Sequence, residues 1–100
     1  MTSFVVRADT KNVTAGTGGS DRIALDNLVN HSRSVRFLNA GSVLAFIKFG
    51  TSTVTAATAT GMPLQPNTPE SIGVPAGLTH VAIVVATGTA VVYATEGFGE

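Results

Sequence analysis

The stretch Thr79-His80-Val81-Ala82-Ile83-Val84-Val85-Ala86-Thr87-Gly88-Thr89-Ala90-Val91-Val92-Tyr93-Ala94-Thr95 decides the fold class. It holds two runs rich in β-branched residues, parted by Thr87-Gly88. Branching at Cβ restricts χ1 against the preceding helical turn and suits a pleated surface, so both runs read as strands. Gly88 can supply the positive φ of a tight turn, and the stretch therefore predicts strands over 79–86 and 90–95 joined as a hairpin.

Working outward, residues 35–38 and 43–49 form a second pair of runs around Asn39-Ala40-Gly41-Ser42, which predicts a four-residue hairpin loop. Further strands are predicted over 3–7, 22–25 and 70–74, with additional candidates at 12–15 and 53–60. Between the two hairpins, residues 61–69 carry three of the chain's 4 prolines. Proline has no N–H for a ladder, so this segment reads as an extended connector or a crossing between sheets, not a central strand. Pro75-Ala76-Gly77 predicts a type II turn that launches 79–86. The one helix candidate, 23–29, is short and interrupted by Asp26 and Asn27. Seven or eight short strands at this spacing predict an all-β protein, an antiparallel β-sandwich of jelly-roll or immunoglobulin-like kind. The residues leave those two topologies open.

A chain of 100 residues holds one core. We expect a single β-sandwich domain over 1–100, with a flexible N-terminal segment of about residues 1–20 and a short C-terminal tail, 96–100, that frays or docks through Phe98. Apolar residues make up 44% and charged residues 12%, about half the usual charged share, which excludes a disordered chain. The formal net charge is zero, so no basic stripe exists to neutralise phosphates, and nucleic acid is not an expected partner. Cysteine is absent, which removes disulfides, thiolate nucleophiles and Cys-ligated zinc. No signal-peptide pattern opens the chain and no apolar run approaches the ~20 residues of a membrane helix, so synthesis in the cytoplasm and no membrane partner are expected. The sequons at Asn12 and Asn30 then read as chance matches.

The residue types that carry chemistry are scattered. His31 and His80 have no ligand-type neighbour at metal spacing, and the acids Asp9, Asp21, Asp26, Glu70, Glu96 and Glu100 form no local pair. Gly16-Thr17-Gly18-Gly19-Ser20 is glycine-rich but lacks the Lys-Ser/Thr ending of a phosphate-binding loop. No Gly-x-Ser-x-Gly elbow occurs. The expectation is no catalytic residue, no cofactor, no metal and no enzymatic activity. Thr51, Thr53 and Thr55, followed by Thr58 and Thr60, alternate as on the polar side of a solvent-facing strand edge.

Both parities of 81–86 are apolar, and 44–49 has Lys48 as its single polar break. One face of each strand meets the sandwich core; the other lies under another segment of the chain or under another molecule. If a molecule, the candidate interface residues are Phe4, Val5, Leu44, Phe46, Val84 and Phe98. Of the six aromatics, Phe37, Phe46, Phe49 and Tyr93 are assigned to the core.

The run Val35-Arg36-Phe37-Leu38-Asn39-Ala40-Gly41-Ser42-Val43-Leu44-Ala45-Phe46-Ile47-Lys48-Phe49-Gly50 resembles a pattern in small virion proteins of tailed bacteriophages. In that pattern a strand ending in Asn-x-Gly leads into Ala-aromatic-aliphatic-basic-Phe-Gly. The likeness continues through Ala57–Leu64, Val74-Pro75-Ala76-Gly77, Thr79-His80-Val81-Ala82 and Gly88-Thr89-Ala90, covering about residues 33–96. It rests on packing and turn residues, so no functional residue carries over. The resemblance implies a head decoration or cement protein on the capsid exterior. Its partner would be the major capsid protein or another virion protein, and it would act as a trimer or dimer that stabilises the shell. A tail, neck or fibre-base component, or a carbohydrate-binding β-sandwich module, are the other readings.

Overall fold

A computed structural model describes residues 5–6, 10–25, 33–74 and 77–98, which form nine strands and no helix. They are β1 (Val5–Val6), β2 (Lys11–Ala15), β3 (Asp21–Ala24), β4 (Arg33–Asn39), β5 (Ala45–Gly50), β6 (Met62–Leu64), β7 (Pro69–Val74), β8 (His80–Val85) and β9 (Ala90–Phe98). Two sheets face each other. Sheet A runs β2-β9-β4-β7, with β1 beside the far end of β9, and sheet B runs β3-β8-β5-β6.

The antiparallel pairs β5–β6, β4–β7, β3–β8 and β2–β9 are nested as in one long hairpin. That hairpin is rolled so that β4 also pairs with β9 and β5 with β8. This wrapped order is a jelly roll, which resolves the choice of topology left open by the sequence.

Both predicted hairpins are corrected by it. β4 and β5 lie in opposite sheets, and so do β8 and β9, so 40–44 and 86–89 are arches across the sandwich. A four-residue connector fits either geometry; side chains at the arch decide between them. Asn39 is fully buried, and its amide donates to the carbonyls of Val43 at 2.8 Å and Leu64 at 3.1 Å while Oδ1 accepts from the Gly41 N–H at 2.9 Å. The Ala40 N–H donates to Val91 O at 2.8 Å, fastening the first arch to β9. The two arches stack so closely that a Cβ on Gly41 would stand 2.7 Å from Ala90 Cβ.

Alternation along each strand builds the core. Val35 and Phe37 of β4 and Ala90, Val92 and Ala94 of β9 face Ala45 and Ile47 of β5 and Val81, Ile83 and Val85 of β8. Phe37 and the partly buried Phe49 meet within this cluster, with ring centroids 6.0 Å apart and planes tilted by 56°.

Several boundaries differ from expectation. β1 and β2 fall on the strands expected over 3–7 and 12–15, and β9 runs beyond its expected end at 95 through to Phe98, opposite Val5. Backbone pairing with β9 satisfies polar groups that a frayed end would leave to water. Residues 53–60 are turns and irregular chain, not a strand, and their threonines are exposed. The proline-bearing Met62–Leu64 pairs only with β5, so it is an edge strand, as a proline at that place requires. The candidate helix 23–29 begins as β3, and its later residues lie outside those described.

Candidate functional site

The strand register puts Arg22, Phe46, Ala82 and Val84 on the outer side of sheet B, Phe46 directly opposite Val84 and Arg22 opposite Ala82. That side is not open. Residues 51–61, which join β5 to β6, fold back across it and lay Val54 and Ala56 on Ala82, Val84 and Phe46 as a second small apolar cluster. Val84 is only 3% exposed. The two-sided apolar character of β8 is thus satisfied within the chain, one of the two alternatives the sequence posed.

Hydrogen bonds and a steric fit among the described residues seat the crossing segment. The Ala56 N–H donates to Gly19 O at 2.9 Å, and the Arg22 Nε–H donates to Val54 O. Gly19 has φ of 87°, and a Cβ there would stand 2.3 Å from Ala56 O. Only glycine fits that corner. The glycine-rich loop therefore works as a corner between β2 and β3: the Gly16 N–H donates to Asp21 Oδ2 at 2.9 Å, and the Val85 N–H to Gly16 O at 3.1 Å.

Of the six residues singled out for an interface, Phe46 and Val84 come together, but beneath this segment. Leu44 is half-buried where the first arch enters β5. Val5 and Phe98 are backbone partners at the end of sheet A, and Phe4 lies outside the described residues. The other expected chemistry is equally dispersed. His80 Nδ1 is 2.8 Å from Thr79 Oγ1, and His31 falls outside the described residues. Among the described residues no three His, Asp or Glu side chains group as metal ligands. Asn39 and Glu96 are the buried polar side chains among them, Glu96 opposite Val35 on the inner side of sheet A.

The outer side of sheet A is the face that no described segment of the chain crosses. Register places Asn12, Tyr93, Leu38 and Pro69 in one row across it, and Thr95, Arg36 and Ser71 in the next. Tyr93 stands at its centre, 38% exposed. This corrects the assignment of Tyr93 to the core. In β9 the small residues Ala90, Val92 and Ala94 turn inward because Phe37 fills the space opposite Ala94, so the intervening parity carries Tyr93 outward. The polar side chains of this face bond laterally: Thr10 Oγ1 to Thr95 Oγ1 at 2.6 Å, and Arg36 Nε–H to Ser71 Oγ at 3.2 Å. Arg36 is the charged side chain of these rows. The signal for the face was present in the sequence, in the strict small-residue parity of 90, 92 and 94.

No protein-family model matches the chain, and no curated protein matches it.

Proposed function

We propose that this chain is a non-catalytic structural protein of a tailed-bacteriophage particle that decorates the head, meeting the major capsid protein through the outer side of sheet A. The observation that carries the reading is that face: a broad strand surface with Tyr93 exposed at its centre, Arg36 beside it and other charges absent from its central rows. Tyr and Arg are enriched in protein interfaces, where Lys, Glu and Asp are depleted. The resemblance of 33–96 to small virion proteins points the same way. Jelly rolls recur in viral capsids and in lectins, which is an analogy of fold alone. One such face gives modest affinity per copy, and repetition over a lattice, with dimers or trimers engaging several sites, turns modest contacts into firm retention.

The test is co-sedimentation of purified protein with undecorated heads and, separately, with tails. Retention on heads that is lost in Tyr93→Ala supports decoration. Retention on tails alone moves the protein to the tail, neck or fibre base, and no retention on either sinks the reading.

The exposure of Tyr93 also favours a second reading, a carbohydrate-binding module. A tyrosine ring flanked by Asn12, Arg36 and Thr95 offers an apolar platform for a sugar ring with hydrogen-bonding groups at its rim. Glycan-array binding that disappears in Tyr93→Ala would establish it, and a blank array with intact head binding would remove it.

A further inference from the structure

We infer that residues 51–61 form a detachable strap, latched by Arg22, that opens while both sheets stay folded and so uncovers Phe46, Ala82 and Val84. Such opening is independent of the proposed function.

The main core and the strap's cluster are separate. Phe37, Ile47, Val81, Ile83 and Val85 belong to the first, and the strap's apolar side chains, Val54 and Ala56, belong to the second. Its remaining side chains give it little hold. Thr51, Ser52, Thr53, Thr55, Ala57, Thr58, Ala59 and Thr60 are all exposed, so lifting the strap opens the small cluster of Val54, Ala56, Phe46, Ala82 and Val84 and leaves the core between the sheets closed. Most of its backbone bonds are internal turns: Val54 N–H to Thr51 O at 3.0 Å, and Thr60 and Gly61 N–H to Ala57 O at 3.3 and 2.8 Å. They can survive detachment.

Among the described residues, Ala56 N–H to Gly19 O and Arg22 Nε–H to Val54 O tie it to the rest of the fold. An open recess of about 390 Å³, lined in part by Thr17, Gly18, Ala57 and Thr58, runs along its edge. Segments with few buried apolar contacts and solvent-reachable bonds open below the global unfolding free energy. The steric fit at Gly19 makes the closed position definite.

Native-state hydrogen exchange on the full chain tests this. The Ala56 amide is expected to be protected roughly a hundredfold less than the amides of β8, because it opens locally and they open only with the sandwich. Arg22→Gln should raise Ala56 exchange by about tenfold, the loss of one charge-assisted bond, and leave β8 unchanged. Gly19→Ala, which displaces the strap from the opposite side, should do the same and increase binding of an apolar dye. Exchange of Ala56 in step with β8 in the unmodified protein overturns the inference. So does an Arg22→Gln effect that is absent at Ala56 or equal across β8.

Discussion

On sheet B the outer side chains of the central strand β8, Ala82 and Val84, lie under Val54 and Ala56; on sheet A those of β9, Val91, Tyr93 and Thr95, face outward with no described segment across them. The two strands are neighbours in sequence and similar in composition. β8 reads as apolar on either parity and is covered, whereas β9 carries Tyr93 and Thr95 on its outer parity and is not. A two-sided apolar strand does not by itself call for a partner, since the chain can fold a strap over it. The informative face is the one where a large amphipathic side chain is left outside although small ones were available to pack. By that criterion, attention shifts from Val84 and Phe46 to Tyr93 and Arg36.

The largest effect should come from neither outer face but from the core that both sheets share. Phe37 is fully buried, sits opposite Ala94 and packs on Phe49. Phe37→Ala should cost about 3–5 kcal/mol, which is the range for a buried Phe truncation. Thermal unfolding should then fall by at least ~12 °C, given a few degrees per kcal/mol for a chain of this size. A loss under ~1 kcal/mol would mean that the two sheets are held together elsewhere, and the contrast between core and strap would collapse.

Asn39→Ala should come next, at about 3 kcal/mol in a denaturant titration. One buried unsatisfied polar group costs ~1–3 kcal/mol, and this change orphans the Val43 and Leu64 carbonyls and the Gly41 N–H together. The same residue shows why the topology was not legible in the sequence while the class was. Strand-forming runs and their punctuation by Gly and Pro are local signals, and they placed most strands to within a few residues. Whether 40–44 closes a hairpin or an arch depends on Leu64, Asn67 and Ala90, which meet this connector only in the folded chain. An Asn before Gly reads locally as a turn residue; here its amide is a buried brace. The strap was illegible for a related reason. Its threonines alternate as on a strand, but Gly19 and Arg22, some thirty residues upstream, hold it as an irregular crossing.

Val84→Asp and Tyr93→Asp place the same carboxylate on the two outer faces and so test the comparison directly. At Val84 the new charge lies under the strap. A carboxylate sealed in a rigid interior would cost ~3–5 kcal/mol. If the strap lifts, water reaches the charge and the loss drops to about 2 kcal/mol, close to the transfer energy of the valine side chain that is no longer buried. Chemical denaturation of Val84→Asp alongside Val84→Ala measures this. A value above ~4 kcal/mol would show that the strap is welded to the sheet.

At Tyr93 the identical change should be milder, about 1 kcal/mol, because the open face solvates the carboxylate, while aspartate suits a central strand poorly and the covered part of the ring is lost. Denaturation midpoints of the protein and of Tyr93→Asp should then lie close together. A variant that stays folded gives the substitution its value in a binding assay, since a loss of retention on particles cannot then be blamed on unfolding. A loss near 2 kcal/mol would instead mean that Tyr93 is part of the packing, held by Leu38 and Asn12 in its row, and that the outer side of sheet A is a structural surface like that of sheet B. The difference between the two aspartates, about 2 kcal/mol at one face and about half that at the other, is therefore the measure of whether this sandwich has one free face or none.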